Sequence, residues 1–150
     1  MTSKERVLRR EYDRGRLAAQ EVQDRSPEMS GTELYTVDDR IPQFRAAVAR
    51  KNMLDRPVGF VCKSSAGRVV KLLQPYDSTV YTNEPEELPA QFGFVWSNDP
   101  AKALPFVAIS TSPYMTGNCC TENDSIYRSI IDNNVWAPSA YRRGWELVTE

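Results

Sequence analysis

Gly117-Asn-Cys-Cys-Thr-Glu-Asn-Asp-Ser-Ile-Tyr-Arg-Ser-Ile-Ile131 is the stretch on which the fold turns. Residues 118–122 and 126–131 have strand-like composition and meet across Asn123-Asp124, which predicts a β-hairpin. An earlier stretch reads the same way. Gly59-Phe-Val-Cys62 aligns with Gly117-Asn-Cys-Cys120, and seven residues after each aligned cysteine come Val69 and Tyr127. These open Val69-Val-Lys-Leu-Leu-Gln74 and Tyr127-Arg-Ser-Ile-Ile-Asp132. In the earlier copy, 58–62 and 68–73 are the strands, and Lys63-Ser-Ser-Ala-Gly67 connects them. Both copies continue into a proline-containing loop and close at Gly93-Phe94 and Gly144-Trp145, the first loop being longer by seven residues. A lone hairpin cannot bury its own face, so Phe94 and Trp145 are expected to cap the two units, which must pack together or onto helices.

Working outward, 92–96, 106–110 and 145–148 read as further short strands. The N-terminal side has a different texture. Residues 1–57 hold twelve Lys/Arg, ten Asp/Glu and only three of the fifteen aromatics, Tyr12, Tyr35 and Phe44. Thr2 and Glu5 have the spacing of a capping box, and Leu8, Tyr12, Gly15, Ala19 and Val22 then form one thin apolar stripe on a helix ending near Ser26-Pro27. So narrow a stripe needs a partner. A second capping box, Ser30 to Glu33, opens a short helix or turn, and Pro42 is placed for the first turn of a third helix with Phe44, Ala47 and Val48 inward. The expectation is an α+β fold with three segments. These are a helical arm for oligomerisation or docking (1–57), a first small β unit with a long loop (58–111) and a second β unit (112–150).

Composition removes several chemistries. The 150 residues carry a net charge of −1 and no histidine, which excludes Ser-His-Asp and Cys-His catalysis and histidine metal ligation. The three cysteines, Cys62, Cys119 and Cys120, make no zinc-like spacing and read as small buried hydrophobes, and no metal or cofactor is expected. Apolar runs such as Pro105-Phe-Val-Ala-Ile109 are too short to span a bilayer, and the charged residues 1–10 predict no signal peptide. Seven basic residues between Lys4 and Arg25 are interleaved with five acids, a solvated helix face and not a nucleic-acid surface. Glu84, Glu86 and Glu87 read as solvated loop acids, Ser110-Thr-Ser112 lacks a base, and the chain is expected not to be an enzyme.

One part of the chain carries a family resemblance. Pro113-Tyr-Met-Thr-Gly-Asn-Cys-Cys-Thr-Glu-Asn-Asp-Ser-Ile-Tyr127, with Pro138 and Gly144-Trp145, resembles the small chitin- and cellulose-binding modules of carbohydrate-binding families five and twelve. The version here, through Tyr127-Arg-Ser-Ile-Ile-Asp-Asn-Asn-Val-Trp-Ala-Pro138, is similar to copies on phage and prophage tail proteins. The resemblance covers about residues 112–148. It departs from the family where Ile130 and Ile131 replace a pair of exposed, sugar-stacking aromatics.

What the resemblance implies is a virion structural protein of a phage tail or baseplate, made in the bacterial host cytoplasm. It would dock to itself or to other tail or capsid proteins through its N-terminal helices and touch host-surface polysaccharide. The alternative is a purely structural or assembly protein that reuses the module without binding sugar. The candidate sugar contacts are Trp136, Asn133, Asn134 and Tyr141, an indole and a phenol beside amides able to pair with hydroxyls. The competing reading packs Trp136 on Pro138 and gives the asparagines to a turn. Trp96, Tyr127 and Trp145 are expected in the core, whereas Tyr76 and Tyr81 are candidates for an exposed contact surface.

Overall fold

The computed structural model describes residues 2–148, apart from the side chains of Glu11 and Tyr12. Helix α1 (Ser3–Arg25) starts at the expected capping box, with Glu5 donating its N–H to the Thr2 hydroxyl at 3.1 Å and accepting from the Thr2 N–H at 2.8 Å. The same reciprocal pair at Ser30 and Glu33 opens α2 (Gly31–Thr36). Helix α3 (Phe44–Arg50) begins two residues after Pro42, because the Pro42 carbonyl accepts the Lys63 N–H at 2.9 Å and ties that segment to a strand.

Among the described residues, seven strands make two sheets. The first orders β1 (Val61–Lys63), β2 (Val69–Leu72) and β3 (Phe92–Phe94), all antiparallel. The second orders β4 (Leu104–Pro105), β5 (Cys119–Glu122), β6 (Ser125–Ser129) and β7 (Trp145–Leu147), with β4 parallel to β5 and the others antiparallel. The strand expected at 106–110 is absent. The strand pairing ends at Pro105, the Phe106 N–H still reaching Thr121 O at 3.0 Å, and the half-buried Phe106 ring meets Trp145 edge-on with centroids 6.0 Å apart.

The repeat is carried by hydrogen bonds. Gly59 and Gly117 both sit at positive φ, +92° and +99°, in matching turns closed by Phe60 N–H to Pro57 O and Asn118 N–H to Met115 O. The Gly59 N–H reaches Leu72 O as the Gly117 N–H reaches Ser129 O, and Val95 N–H to Val69 O is matched by Val148 N–H to Ile126 O. Even the parallel edge recurs: Gln43 bridges Lys63 as Pro105 pairs Thr121, which makes Phe44 and Phe106 counterparts. Each is edge-on to the aromatic that begins the third strand, Phe44 to Phe92 at 5.7 Å and Phe106 to Trp145 at 6.0 Å.

This register corrects the sequence alignment by one residue at the second strand and by two at the closing strand. Cys62 pairs Val70 and Cys120 pairs Tyr127, so Tyr127 corresponds to Val70, and Trp145 corresponds to Phe92 rather than Phe94. The cause is the hairpin turn. Asn123 and Asp124, both at positive φ, form a two-residue turn, whereas Ser64 and Arg68 close a three-residue loop with Gly67 at +87°. Leu72 to Phe92 is twenty positions and Ser129 to Trp145 sixteen, so the first loop is longer by four and not by seven.

One core joins the three segments. It runs from Phe44, Ala47 and Met53 through Phe92 and Trp96 to Tyr114, Cys120 and Trp145. Tyr114 stacks on Trp96 at 4.2 Å and on Phe106 at 5.3 Å, a ring column that crosses from the first sheet to the second. A second cluster seats the helices: Val22, Leu34, Tyr35 and Ile41 cover Val61 and Val69. The Tyr35 hydroxyl donates to Val95 O and accepts the Val69 N–H, while the Gln23 amide caps both Val61 N–H and Val61 O.

Of the 1–57 segment, therefore, α2, α3 and the end of α1 belong to the body. Val22 is buried and Ala19 half-buried, Gly15 faces open space, and Leu8 is exposed; the Tyr12 side chain lies outside the described residues. The stripe continues past the edge of what it could pack on. No helix among the described residues is long and apolar enough to cross a membrane.

Candidate functional site

The loop after β6 is held by one buried side chain. Asn134 exchanges both backbone hydrogen bonds with Tyr114, N–H to O at 2.8 and 2.9 Å, which carries it to the interior with no exposed surface. Its Nδ2 donates to the Ser129 hydroxyl and to Gly144 O, each at 3.0 Å, and its Oδ1 accepts the Trp136 N–H at 3.3 Å. Asn134 therefore cannot touch a ligand, and the expectation that it does is corrected. The pairing with Tyr114, twenty residues away, decided which of two adjacent asparagines went inside. Asn133 is the exposed one, at φ +54°, a left-handed conformation that asparagine tolerates better than most residues.

The same bonds aim Trp136 outward. Its N–H is taken by Asn134 and its carbonyl accepts the Trp145 indole N–H at 2.7 Å, so the backbone is pinned from both sides. Trp136 is 49% exposed. A turn in which both Ala140 and Tyr141 donate their N–H to Ala137 O brings Tyr141 beside it. The two rings meet edge-to-face, centroids 5.5 Å apart and planes at 66°. They line an open recess of about 660 Å³ together with Ile131, Asp132, Asn133 and Ala140. Asp132 is anchored by the Thr116 N–H at 3.0 Å, and hydrogen bonds from the Thr116 backbone and side chain hold its carboxyl below the usual carboxylate range. It is an ionised acceptor near neutral pH.

Three of the four expected contacts, Trp136, Asn133 and Tyr141, are thus brought together, and Asp132 joins them. Ile130 is exposed at the sheet end, and Ile131 lines the recess. The Ile131 contribution had no sequence signal beyond its neighbourhood. The first repeat presents nothing comparable: Tyr76, expected at the surface, is buried edge-on against Phe92 at 5.7 Å, with Tyr81 left exposed.

The cysteines, two of the loop acids and Ser112 are each tied into the fold. Burial pushes the Cys62 and Cys120 thiols up to about 12 and raises that of Cys119, so all three are buried, free thiols with little thiolate. Glu84 and Glu86, expected in solvent, each hold an arginine: Glu84 pairs Arg45 and accepts the Ser65 N–H, and Glu86 pairs the buried Arg68 at 3.2 Å. Ser112 is buried and accepts the Phe94 N–H. Compared with models of known protein families, with curated proteins and with solved structures, the chain matches none.

Proposed function

We propose that the chain is a non-enzymatic structural component that contacts carbohydrate through Trp136, Tyr141, Asn133 and Asp132. Its assignment to a phage particle, in the tail or baseplate, rests on the resemblance of residues 112–148. The observation that carries the sugar reading is the outward-held Trp136 with Tyr141 against it. Burying a side chain of this class stabilises a fold by about 2–3 kcal/mol, and here the backbone is pinned so that this stabilisation is half forgone. An indole face takes the apolar face of a pyranose, while Asp132 and Asn133 accept from and donate to its hydroxyls.

Planes at 66° make a corner, not a flat strip, so one or two sugar units fit and a single site binds weakly. Many copies on one particle would supply the avidity. The test displays the full chain on a multivalent support and measures retention on chitin, cellulose and bacterial cell-wall polysaccharide. Retention by the parent and its loss in Trp136→Ala at unchanged melting temperature is the expected result; no retention of the parent on any of them refutes the reading. Mass spectrometry of purified particles tests the location separately.

The assembly-only alternative is favoured by a different observation. Leu8 and Leu17 of α1 are 55% and 65% exposed. A light-scattering mass above the monomer that falls to the monomer in Leu8→Lys/Leu17→Lys would support docking through α1.

A further inference from the structure

A groove of about 700 Å³ lies between the middle of α1, the segment around Ile41 and α3, far in sequence from the Trp136 recess. Its charged lining is one-sided: Arg16, Arg40, Arg50, Lys51 and Arg56 against the single acid Asp39. Among the described residues, Arg40, Arg50, Lys51 and Arg56 make no ion pair, and Arg16 has only a 3.9 Å contact with Asp13 along its own helix. Outside the groove, Glu84, Glu86 and Asp38 each hold a cation from another segment. What distinguishes the groove is that five cations and one acid line a single concave surface.

Arg56 shows that the arrangement is built. Its Nη2 donates to Ala47 O at 3.0 Å, its guanidinium lies 4.4 Å over the Phe60 ring, and its Nε is buried without a partner. Burial lowers its pKa, the nearby Cys62 works against that, and the Arg50 charge adds to the lowering. An anion placed there relieves both the repulsion and the desolvation. The floor is apolar, made by Ala19, Ile41, Pro42 and Phe60.

We infer that this groove binds an organic phosphate of nucleotide size carrying several negative charges. Four guanidinium groups, planar donors that pair two oxygens at once, suit tetrahedral phosphate oxygens. A local excess of cations calls for a ligand that concentrates charge, which a chain of phosphates does and an acidic peptide, with its carboxylates spread along a backbone, does less well. A volume of this size is in the range of organic-ligand sites, and the apolar floor takes the non-phosphate part. The inference is independent of the sugar recess: it uses other residues and another face.

The experiment is calorimetric titration of the full-length chain with adenosine triphosphate, tripolyphosphate and orthophosphate as probes, at low and moderate salt. Adenosine triphosphate should saturate one site, tripolyphosphate should compete more weakly, and orthophosphate weaker still, all losing affinity as salt rises. Arg40→Gln/Arg50→Gln should weaken adenosine triphosphate by about tenfold or more, the loss of one or more charge-assisted bonds. Arg9→Gln/Arg10→Gln, on the exposed part of the same helix, should leave it unchanged, and thermal melts confirm that both variants are folded. Failure to saturate, or equal loss in the two variants, overturns the site. Tripolyphosphate binding as tightly as adenosine triphosphate overturns the role given to the apolar floor. Affinity that climbs with the length of an oligonucleotide makes the groove a nucleic-acid surface and overturns the proposal.

Discussion

Asn134→Ala is the substitution that most directly tests how the recess is built. The side chain makes three hydrogen bonds from a position with no exposed surface, to Ser129 Oγ, to Gly144 O and from the Trp136 N–H. Truncation leaves Ser129 its donation to Ile131 O at 2.7 Å and leaves Gly144 O the Ile130 N–H at 2.9 Å, but orphans the Trp136 N–H. A buried polar group without a partner costs about 1–3 kcal/mol, the Trp136 N–H, nearer solvent, counts toward the low end, and the two lost Nδ2 bonds add about 1 kcal/mol. With the vacated volume the expected loss is about 3 kcal/mol. For a chain of this length each kcal/mol moves the melting temperature by roughly 3 °C, so a drop near 10 °C is predicted in a calorimetric melt. Asn134→Asp separates hydrogen bonding from volume, because it fills the same space but turns an acceptor toward Gly144 O; it should melt no higher than the alanine variant. Asn133→Ala, exposed and penalised only by its positive φ, should cost about 1 kcal/mol while weakening sugar retention. An Asn134→Ala variant that melts within about 2 °C of the parent refutes the reasoning, since it would mean that the loop is held by something other than this amide.

Other outcomes follow from the repeat and from the buried hydroxyls. Gly59→Ala meets no atom within 4 Å and pays only the strain of φ +92°, about 1–2 kcal/mol, whereas Gly117→Ala adds a Cβ 3.1 Å from the Asn98 side chain and should cost more in the same denaturant titration. Equal losses would contradict the packing at Asn98. At high pH the fold should weaken: burial pushes Tyr35, Tyr76, Cys62 and Cys120 up to about 12 from ordinary values of 10.0 for tyrosine and 9.0 for cysteine, and raises Tyr114 as well. The folded chain keeps protons that the unfolded chain releases, so their stabilisation is complete below about pH 9 and is lost as pH rises toward 12. Tyr35→Phe should make that decline shallower while costing about 1–3 kcal/mol at neutral pH, by orphaning the buried Val69 N–H. Stability that is level across this window would show that these groups are not buried as described.

Local chemistry was legible in the chain. The two capping boxes need only residues three apart, and the Asn123-Asp124 turn needs only residues that accept positive φ, so each could be read and each is present. The α+β character followed from the change in composition after residue 57, and the burial of the cysteines from their place on strands. The recess was half legible, since an indole and a phenol near amides are visible in any order of reading.

What was decided only in three dimensions has one physical cause, partners distant along the chain. Whether Asn133 or Asn134 faces solvent depends on Tyr114, and whether Tyr76 is a surface ring depends on Phe92. The register of the two repeats depends on a hairpin loop one residue longer in the first copy, a difference that equal spacing conceals and a hydrogen-bond ladder enforces. The cationic groove draws on side chains from α1, α3 and the segments between and after them, each unremarkable among the interleaved charges of its own stretch. The sequence by itself determined where helices and turns begin and which residues are apolar enough to be buried. Tertiary packing alone decided which polar side chains were spent on the fold, as Asn134, Glu84 and Glu86 were, and which were left pointing outward to meet something else.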